Sequence, residues 1–361
     1  MSRVFNFSAG PACLPLEILE EAKEELLDYA GTGKSIMESS HRSPEYDHIH
    51  NEAQDLFKEL LGLNDDFKVL FFGGGASAQF AMLPMNFLKE GQVADYVVTG
   101  TWSKKAVKEA KLFGDVNIAA DPSVDGNFVR IPKAEELRLS ENAAYLHLTS
   151  NNTIAGTQWH DFPDVKCPLV ADMSSDFLWR PFDANKFSMI YAGAQKNLGP
   201  SGVCAVIIRK DFLESAKEKV PSMFSYGVQA EKNSLFNTPP CFPIYMVGKN
   251  LRWLKNKGGL AALERENRAK GELLYGTIGK HADYYRCPVD VDSRSLMNVV
   301  FRLPTEALEK KFIAEAKEKG MIGLKGHRSV GGIRVSIYNA VSINAVQSVC
   351  DFMESFLKEN G

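Results

Sequence analysis

No two cysteines fall in a CxxC spacing. The six, Cys13, Cys167, Cys204, Cys241, Cys287 and Cys350, are scattered along the chain. That scatter is poor for a zinc site or a disulfide framework and fits a reducing, cytoplasmic setting. No uninterrupted apolar run is long enough to span a membrane. The opening MSRVFNFSAGP lacks the apolar stretch of a secretory signal. The formal net charge is −3, so there is no basic excess to hold a nucleic-acid backbone. Neither GxxxxGK[ST] nor GxGxxG occurs, which disfavours nucleoside triphosphates and removes the dinucleotide fingerprint. There is no internal repeat and no low-complexity segment. What is present is an ordinary globular mix, 45% apolar and 24% charged over 361 residues. That is enough for one large domain with a smaller one, or two similar domains, without staples.

The pattern alternates. Pro15 opens a helical stretch to Gly31, with Leu16, Leu19, Leu26 and Leu27 as its apolar stripe. A second helix is expected over Asn51–Leu61. Strands are expected at Lys68–Phe72, Tyr96–Thr99, Val116–Ala119, Ala144–Leu148, Pro168–Met173, Phe187–Tyr191 and Val203–Ile208. Helices are expected over Ser77–Leu88 and Ser103–Phe113. Short apolar runs between helices imply an α/β fold with a mainly parallel sheet covered on both faces. After Lys257 the character changes to a long charged helix, then strand, helix, strand and helix, which suggests a smaller α+β domain.

Lys196 stands in a polar, glycine-containing loop between two β-prone runs, in MIYAGAQKNLGPSG. A desolvated lysine, or one near another cation, loses basicity, and its amine can form a Schiff base. The bland reading is a solvated cation, one of 42 lysines and arginines. Asp172 ends an apolar strand in ADMSSD, where α/β proteins bind ligands; it reads equally as a loop cap. FFGGGASAQF follows a strand and opens a helix, so its backbone N–H groups make either an anion cradle, with the Ser77 hydroxyl, or a tight turn. Trp102 suits stacking on an aromatic cofactor or packing at a domain edge. Thr153 suits a hydrogen bond to a ring hydroxyl or a turn. His41, Asp47, His48 and His50 hint at a metal site, but on a helix they point to different faces, and no metal is expected.

Nine motifs in order carry a resemblance over nearly the whole chain: FNFSAGPACLP, SIMESSHRSPEY, GGGASAQF, TGTWSKKA, SNNTIAGTQW, ADMSSD, YAGAQKNLGPSG, NTPPCFPIY and GHRSVGGIRVSIYNA. The chain resembles the phosphoserine aminotransferases, within the class V aminotransferases. That implies fold type I of the pyridoxal-phosphate (PLP) enzymes, the aspartate-aminotransferase-like architecture. It implies an N-terminal segment (1–14) packing with the small domain, a large PLP-binding domain (15–257) and a small C-terminal domain (258–361). It implies pyridoxal 5′-phosphate bound through Lys196, with Asp172 on the pyridine nitrogen and Trp102 stacked on the ring. Thr153 would reach the ring oxygen, and Ala76, Ser77 and Gln195 the cofactor phosphate. Asn237 and Thr238 would reach that phosphate from a second copy, implying a homodimer with shared active sites. Some members carry arginine where this chain has Ser77.

The resemblance further implies transfer of the amino group of L-glutamate to 3-phosphohydroxypyruvate. The four-carbon phosphorylated acid of vitamin B6 synthesis is a possible second acceptor. Such substrates carry two anionic ends, which arginine grips bidentately. Arg334 matches the α-carboxylate clamp, and His41, Arg42, His327 and Arg328 the distal anion cluster. The rivals are a glyoxylate aminotransferase, a cysteine desulfurase with Cys241 as its mild candidate, and a non-enzymatic phosphate-binding protein.

Overall fold

In chain order, β1 (Phe5–Asn6) precedes α1 (Leu16–Glu25) and α2 (Pro44–Leu61). β2 (Phe67–Phe72), α3 (Gly75–Phe87), β3 (Val93–Val97), α4 (Thr101–Ala110) and β4 (Asp115–Ala120) then alternate. β5 (Ala143–Thr149) runs into a short hairpin, β6 (Asn151–Asn152) and β7 (Thr157–Gln158). β8 (Leu169–Asp172), β9 (Met189–Gly193) and β10 (Cys204–Arg209) lead to α5 (Lys210–Glu214), α6 (Tyr226–Glu231), α7 (Cys241–Asn256) and α8 (Gly259–Lys280). Last come β11 (Asn298–Phe301), α9 (Glu306–Glu318), β12 (Met321–Ile322), β13 (Ile333–Ser336) and α10 (Ile343–Asn360). The computed structural model describes residues 3–361; Met1 and Ser2 of the expected N-terminal segment lie outside the described residues.

Seven strands form one sheet in the order β2-β10-β9-β8-β5-β3-β4. β10 runs antiparallel to both neighbours, and every other pairing is parallel. The strands read as continuous apolar runs because both faces are covered. On one face Leu146, Leu148, Ala171 and Ile190 pack with Phe57 of α2 and Val247 and Leu251 of α7. On the other Tyr145, Val170 and Val206 pack with Phe80 and Leu83 of α3 and Ala106 of α4.

A further cluster joins Phe301, Phe312, Val335, Val346 and Met353 to Phe7. Phe7 arrives there because β1 pairs in parallel with β12 (Phe5 with Met321). β11 and β13 pair antiparallel, placing Val300 opposite Arg334. Helix α8 serves two clusters, with Leu260 and Leu263 in the first and Leu274 and Ile278 in this one.

Three expectations need correction. The first helix ends at Glu25 rather than near Gly31, since the chain turns through Ala30 and Gly31, both at positive φ. Its buried residues are Ile18 and Ala22; Leu16 and Leu27 of the expected stripe are 45% and 85% exposed. The second helix begins at Pro44, not Asn51. Proline takes the first helical position and the Ser43 hydroxyl accepts from Tyr46 N, a start hidden in a polar, histidine-rich run. Helix α7 was not anticipated, because PPCFP reads as a turn; Pro243 lies in its first turn, where no N–H is needed.

The β6–β7 hairpin carries residues 151–158 under the β11 strand. Gly156 turns it at φ +79°, and a Cβ there would lie 2.6 Å from Val300 Cγ2 and 3.2 Å from Asn298 O. Gly156→Ala therefore combines backbone strain with overpacking. A loss of about 1–3 kcal/mol of stability is expected, read as a lower melting temperature in calorimetry.

Candidate active site

The parallel strands β5, β8 and β9 end side by side, with Thr149, Asp172 and Tyr191 in register. Asp172 is therefore presented at the carboxyl edge of the sheet, where open α/β sheets bind ligands. Its Oδ1 accepts from Ser174 N at 3.0 Å and Ser174 Oγ at 2.6 Å. The same hydroxyl accepts from Gly193 N at 3.0 Å, tying the carboxylate to the end of β9. Burial pushes the Asp172 pKa up, while the Ser174 hydrogen bonds and the charge of Lys196 pull it back.

Lys196 lies in the turn between β9 and β10. Ala194 N donates to Val203 O at 2.9 Å, and Gly199 N to Ala194 O at 2.8 Å. Asn197 Nδ2 donates to Phe177 O at 2.9 Å, and Asn197 Oδ1 accepts from Asn339 N at 3.0 Å. The lysine is thus held by its neighbours on both sides. Its Nζ donates to Thr153 Oγ1 at 2.7 Å and stands 5.7 Å from the Trp102 ring centroid. Burial brings its pKa down to about 8, against the pull of Asp172 and with the help of the Arg334 charge.

One cavity of about 310 Å³ gathers Lys196, Asp172, Thr153, Trp102, Ala76, Ser77, Gln195, His327 and Arg334. Ala76 and Ser77 belong to the first turn of α3, whose N–H groups have no intrahelical acceptor; Gly74 and Gly75 reach it at positive φ. Trp102 opens α4, and its indole Nε1 is buried without a hydrogen-bond partner among the described residues, as is Arg334 Nε. Arg334 Nη1 donates to Thr153 O at 3.3 Å. His327 Nδ1 lies 2.7 Å from Ser329 Oγ; burial and the charges of Arg334, Arg328 and Lys105 hold its pKa below the usual histidine value. A second cavity of about 490 Å³ shares Trp102, Ile154, His327 and Arg334 with the first.

Five expected residues are not brought in. His41 and Arg42 lie in the turn before α2, and Arg328 is exposed; none lines either cavity. Asn237 and Thr238 are exposed and line a separate cavity of about 510 Å³ that shares only Gly74 with the first. His50 is buried against Phe71, with Nδ1 3.4 Å from Tyr46 Oη, while Asp47 and His48 are exposed on the outer face of α2. No cysteine lines the Lys196 cavity among the described residues. Cys241 sits at the start of α7, and burial raises its pKa, the opposite of a reactive thiol.

Sequence reasoning passed over Ala9 and Gly10, which wall the cavity; a Cβ on Gly10 would sit 3.3 Å from Lys196 Cγ. It also gave no role to Ser174, although the two serines after Asp172 were the available signal.

The family model for aminotransferase class V matches residues 4–349. A phosphoserine aminotransferase from Desulfatibacillum aliphaticivorans is 58% identical, over 100% of this chain and 99% of that one. One from Niallia circulans is 54% identical over 99% of each. Among solved structures, the phosphoserine aminotransferase from Bacillus circulans subsp. alkalophilus superposes with a TM-score of 0.97 at 54% identity over 99% of both chains. The PLP-bound phosphoserine aminotransferase from Trichomonas vaginalis gives 0.93 at 40% identity, over 98% of this chain and 100% of that one.

The balance of charges at Lys196 can be measured without any cofactor. In the cofactor-free chain, acylation of Lys196 followed by peptide mass spectrometry against pH should show a midpoint near 8. Asp172→Asn removes a negative charge that favours the ammonium form, so the midpoint should move down. An unchanged or raised midpoint would mean that the Asp172 charge is not felt at the amine.

Proposed function

Because this chain belongs to the class V aminotransferases, we propose that it moves the amino group of L-glutamate to 3-phosphohydroxypyruvate, giving O-phospho-L-serine and 2-oxoglutarate. The observation that carries the reading is the convergence of the Lys196 amine, Asp172 carboxylate, Trp102 indole and Arg334 guanidinium on one cavity. That donor set fits pyridoxal phosphate. A lysine amine, a buried carboxylate for a ring nitrogen, an aromatic face and a helix N-terminus for a phosphate all stand together, and the buried Trp102 Nε1 and Arg334 Nε lack partners. Bound pyridoxal phosphate supplies an electron sink for the bond pair released at the substrate's α-carbon.

The chain does the rest. Asp172 offers a carboxylate to a pyridinium N–H, and Trp102 covers a ring face. Ala76 and Ser77, with Gln195 beside them, receive the phosphate on first-turn N–H groups and a hydroxyl. Arg334 holds the substrate's α-carboxylate. Lys196 would take the proton from the donor's α-carbon as base and pass it on as acid to the bound cofactor in the same half-reaction, and would move a proton the other way in the second; a pKa near 8 leaves an appreciable fraction of free amine at neutral pH. His327, whose pKa burial and its cationic neighbours hold below the usual histidine value, and Arg328 receive the distal anion.

We further propose a homodimer in which His41, Arg42, Asn237 and Thr238 of a second copy complete the site. Support comes from the exposure of Arg42, Asn237 and Thr238 and from Met223 and Phe224, each more than 40% exposed, in the lining of the Asn237 cavity. The segments 1–14 and 258–361 are proposed to act as the small domain against 15–257, on the evidence of their shared apolar cluster. No helix among the described residues is long and apolar enough to cross a membrane; the cytoplasm is the proposed compartment, on the unbridged cysteines.

The test is the visible spectrum of the purified protein. A yellow band should bleach with glutamate and return with 3-phosphohydroxypyruvate, and Lys196→Ala should abolish turnover. A band indifferent to glutamate but bleached by alanine and restored by glyoxylate would favour the glyoxylate rival. Sulfide release from cysteine would favour the lyase.

A further inference from the structure

A second buried carboxylate, Asp176, lies one turn beyond Asp172 and outside the Lys196 cavity. Ser150 Oγ donates to its Oδ1, and Gln158 Nε2 to its Oδ2 at 3.0 Å. An ionised carboxylate only accepts. It therefore turns the nitrogen of the Gln158 amide toward itself and the oxygen away. That oxygen accepts from Leu296 N at 2.9 Å. Leu296 leads into β11, which places Val300 opposite Arg334 on β13.

The same segment is pinned by a wider buried web. Ser295 Oγ donates to Asn151 Oδ1 at 2.5 Å, and Asn151 Nδ2 to Asn298 Oδ1 at 2.7 Å. Asn298 Nδ2 donates to Ser336 Oγ at 2.9 Å and Tyr338 Oη at 3.1 Å, and Tyr338 Oη to Ala9 O at 2.9 Å. The links among Ser295, Asn151, Asn298, Ser336 and Tyr338 are buried, so their donor and acceptor directions are enforced by the cost of leaving a partner unmet; those to Ala9 and Leu296 are partly buried.

We propose that Asp176 and Gln158 are positioning residues: by dictating the direction of the Gln158 amide, the Asp176 carboxylate sets where the β11–β13 pair, and with it Arg334, stands relative to Lys196. This rests on the reading of Arg334 as the substrate-carboxylate clamp. Burial raises the Asp176 pKa only to about 6, so at neutral pH the group is ionised and accept-only, as the linkage requires. The charged and titratable groups around it are Arg180, Asp172, Lys196 and Tyr338.

Two variants test the linkage in the cofactor-loaded protein, with glutarate, an unreactive dicarboxylate, as the probe. Gln158→Met keeps the side-chain length but cannot reach both partners. Calorimetry should show glutarate bound about tenfold more weakly, the scale of one lost buried hydrogen bond, with the cofactor's visible band unchanged. Gln158→Glu can share a proton with Asp176 and still accept from Leu296 N. At acidic pH its glutarate affinity, relative to the parent, should approach unity, and it should fall as pH rises and the shared proton leaves. The surrounding groups are common to parent and variant, so the ratio isolates the pair. Glutarate affinity within twofold of the parent in Gln158→Met, with only the melting temperature lowered, would reduce the pair to a structural role and overturn the proposal. A pH-independent ratio in Gln158→Glu would do the same. A parent that binds no glutarate would sink the Arg334 reading itself and this inference with it, which separates the two failures.

Discussion

A cation and an anion are taken out of water together at one edge of the sheet, and the neighbouring structure is arranged around that act. Burial drives Lys196 toward the free amine and Asp172 toward the carboxylic acid, and each group's charge opposes the shift of the other. Removing either would take from the other the opposite charge that offsets its burial. The surroundings share the load, with Ser174 donating twice to Asp172 and Thr153 accepting from Lys196. The outcome is an amine poised near neutrality and a carboxylate ready for a cationic partner.

Topology delivers these groups to one place. Parallel strands share a carboxyl edge, so the segments that follow them meet there: Trp102 after β3, Thr153 after β5, Asp172 at the end of β8 and Lys196 after β9. The antiparallel return of β10 matters as much. It keeps the segment after β9 short enough for Ala194 to bond back to Val203, so Lys196 rides on a closed turn rather than a free loop. A reactive group on a braced turn holds its geometry better than one on an open loop.

Much of this was legible in the sequence, for a definite reason. Strands buried on both faces are continuous apolar runs, and the seven of the main sheet were placed to within a few residues. Lys196, Asp172 and the glycine run could be ranked because each sits where a strand stops. What escaped depended on partners far along the chain. The first helix was read too long because Leu26 and Leu27 looked like core, whereas Leu27 faces solvent. Helix α7 was missed because prolines that suit a first turn look like breakers in isolation. Asp176 showed only as the last letter of ADMSSD; its significance lies in Gln158 and in segment 295–298, which no local window contains.

The cavity also divides its work by exposure. Of the groups proposed to act on bonds, Asp172 is buried and held by the Ser174 N–H and hydroxyl, and Lys196, partly buried, rides on a braced turn and donates to Thr153 Oγ1. The groups proposed to read substrate anions lie further out, from half-buried Arg334 and His327 to exposed Arg328 and Arg42. Chemistry requires one geometry and a dry site, where charges act strongly on one another. Recognition of two different acids, one ending in a carboxylate and the other in a phosphate, requires cations that can shift between anions of different size. Exposed side chains on turns supply that freedom at little cost in stability, because they carry no core. The exposed set is also the part that a single chain leaves apart from the cavity, so on the proposed dimer the choice of substrate is made between copies while the bond chemistry stays within one.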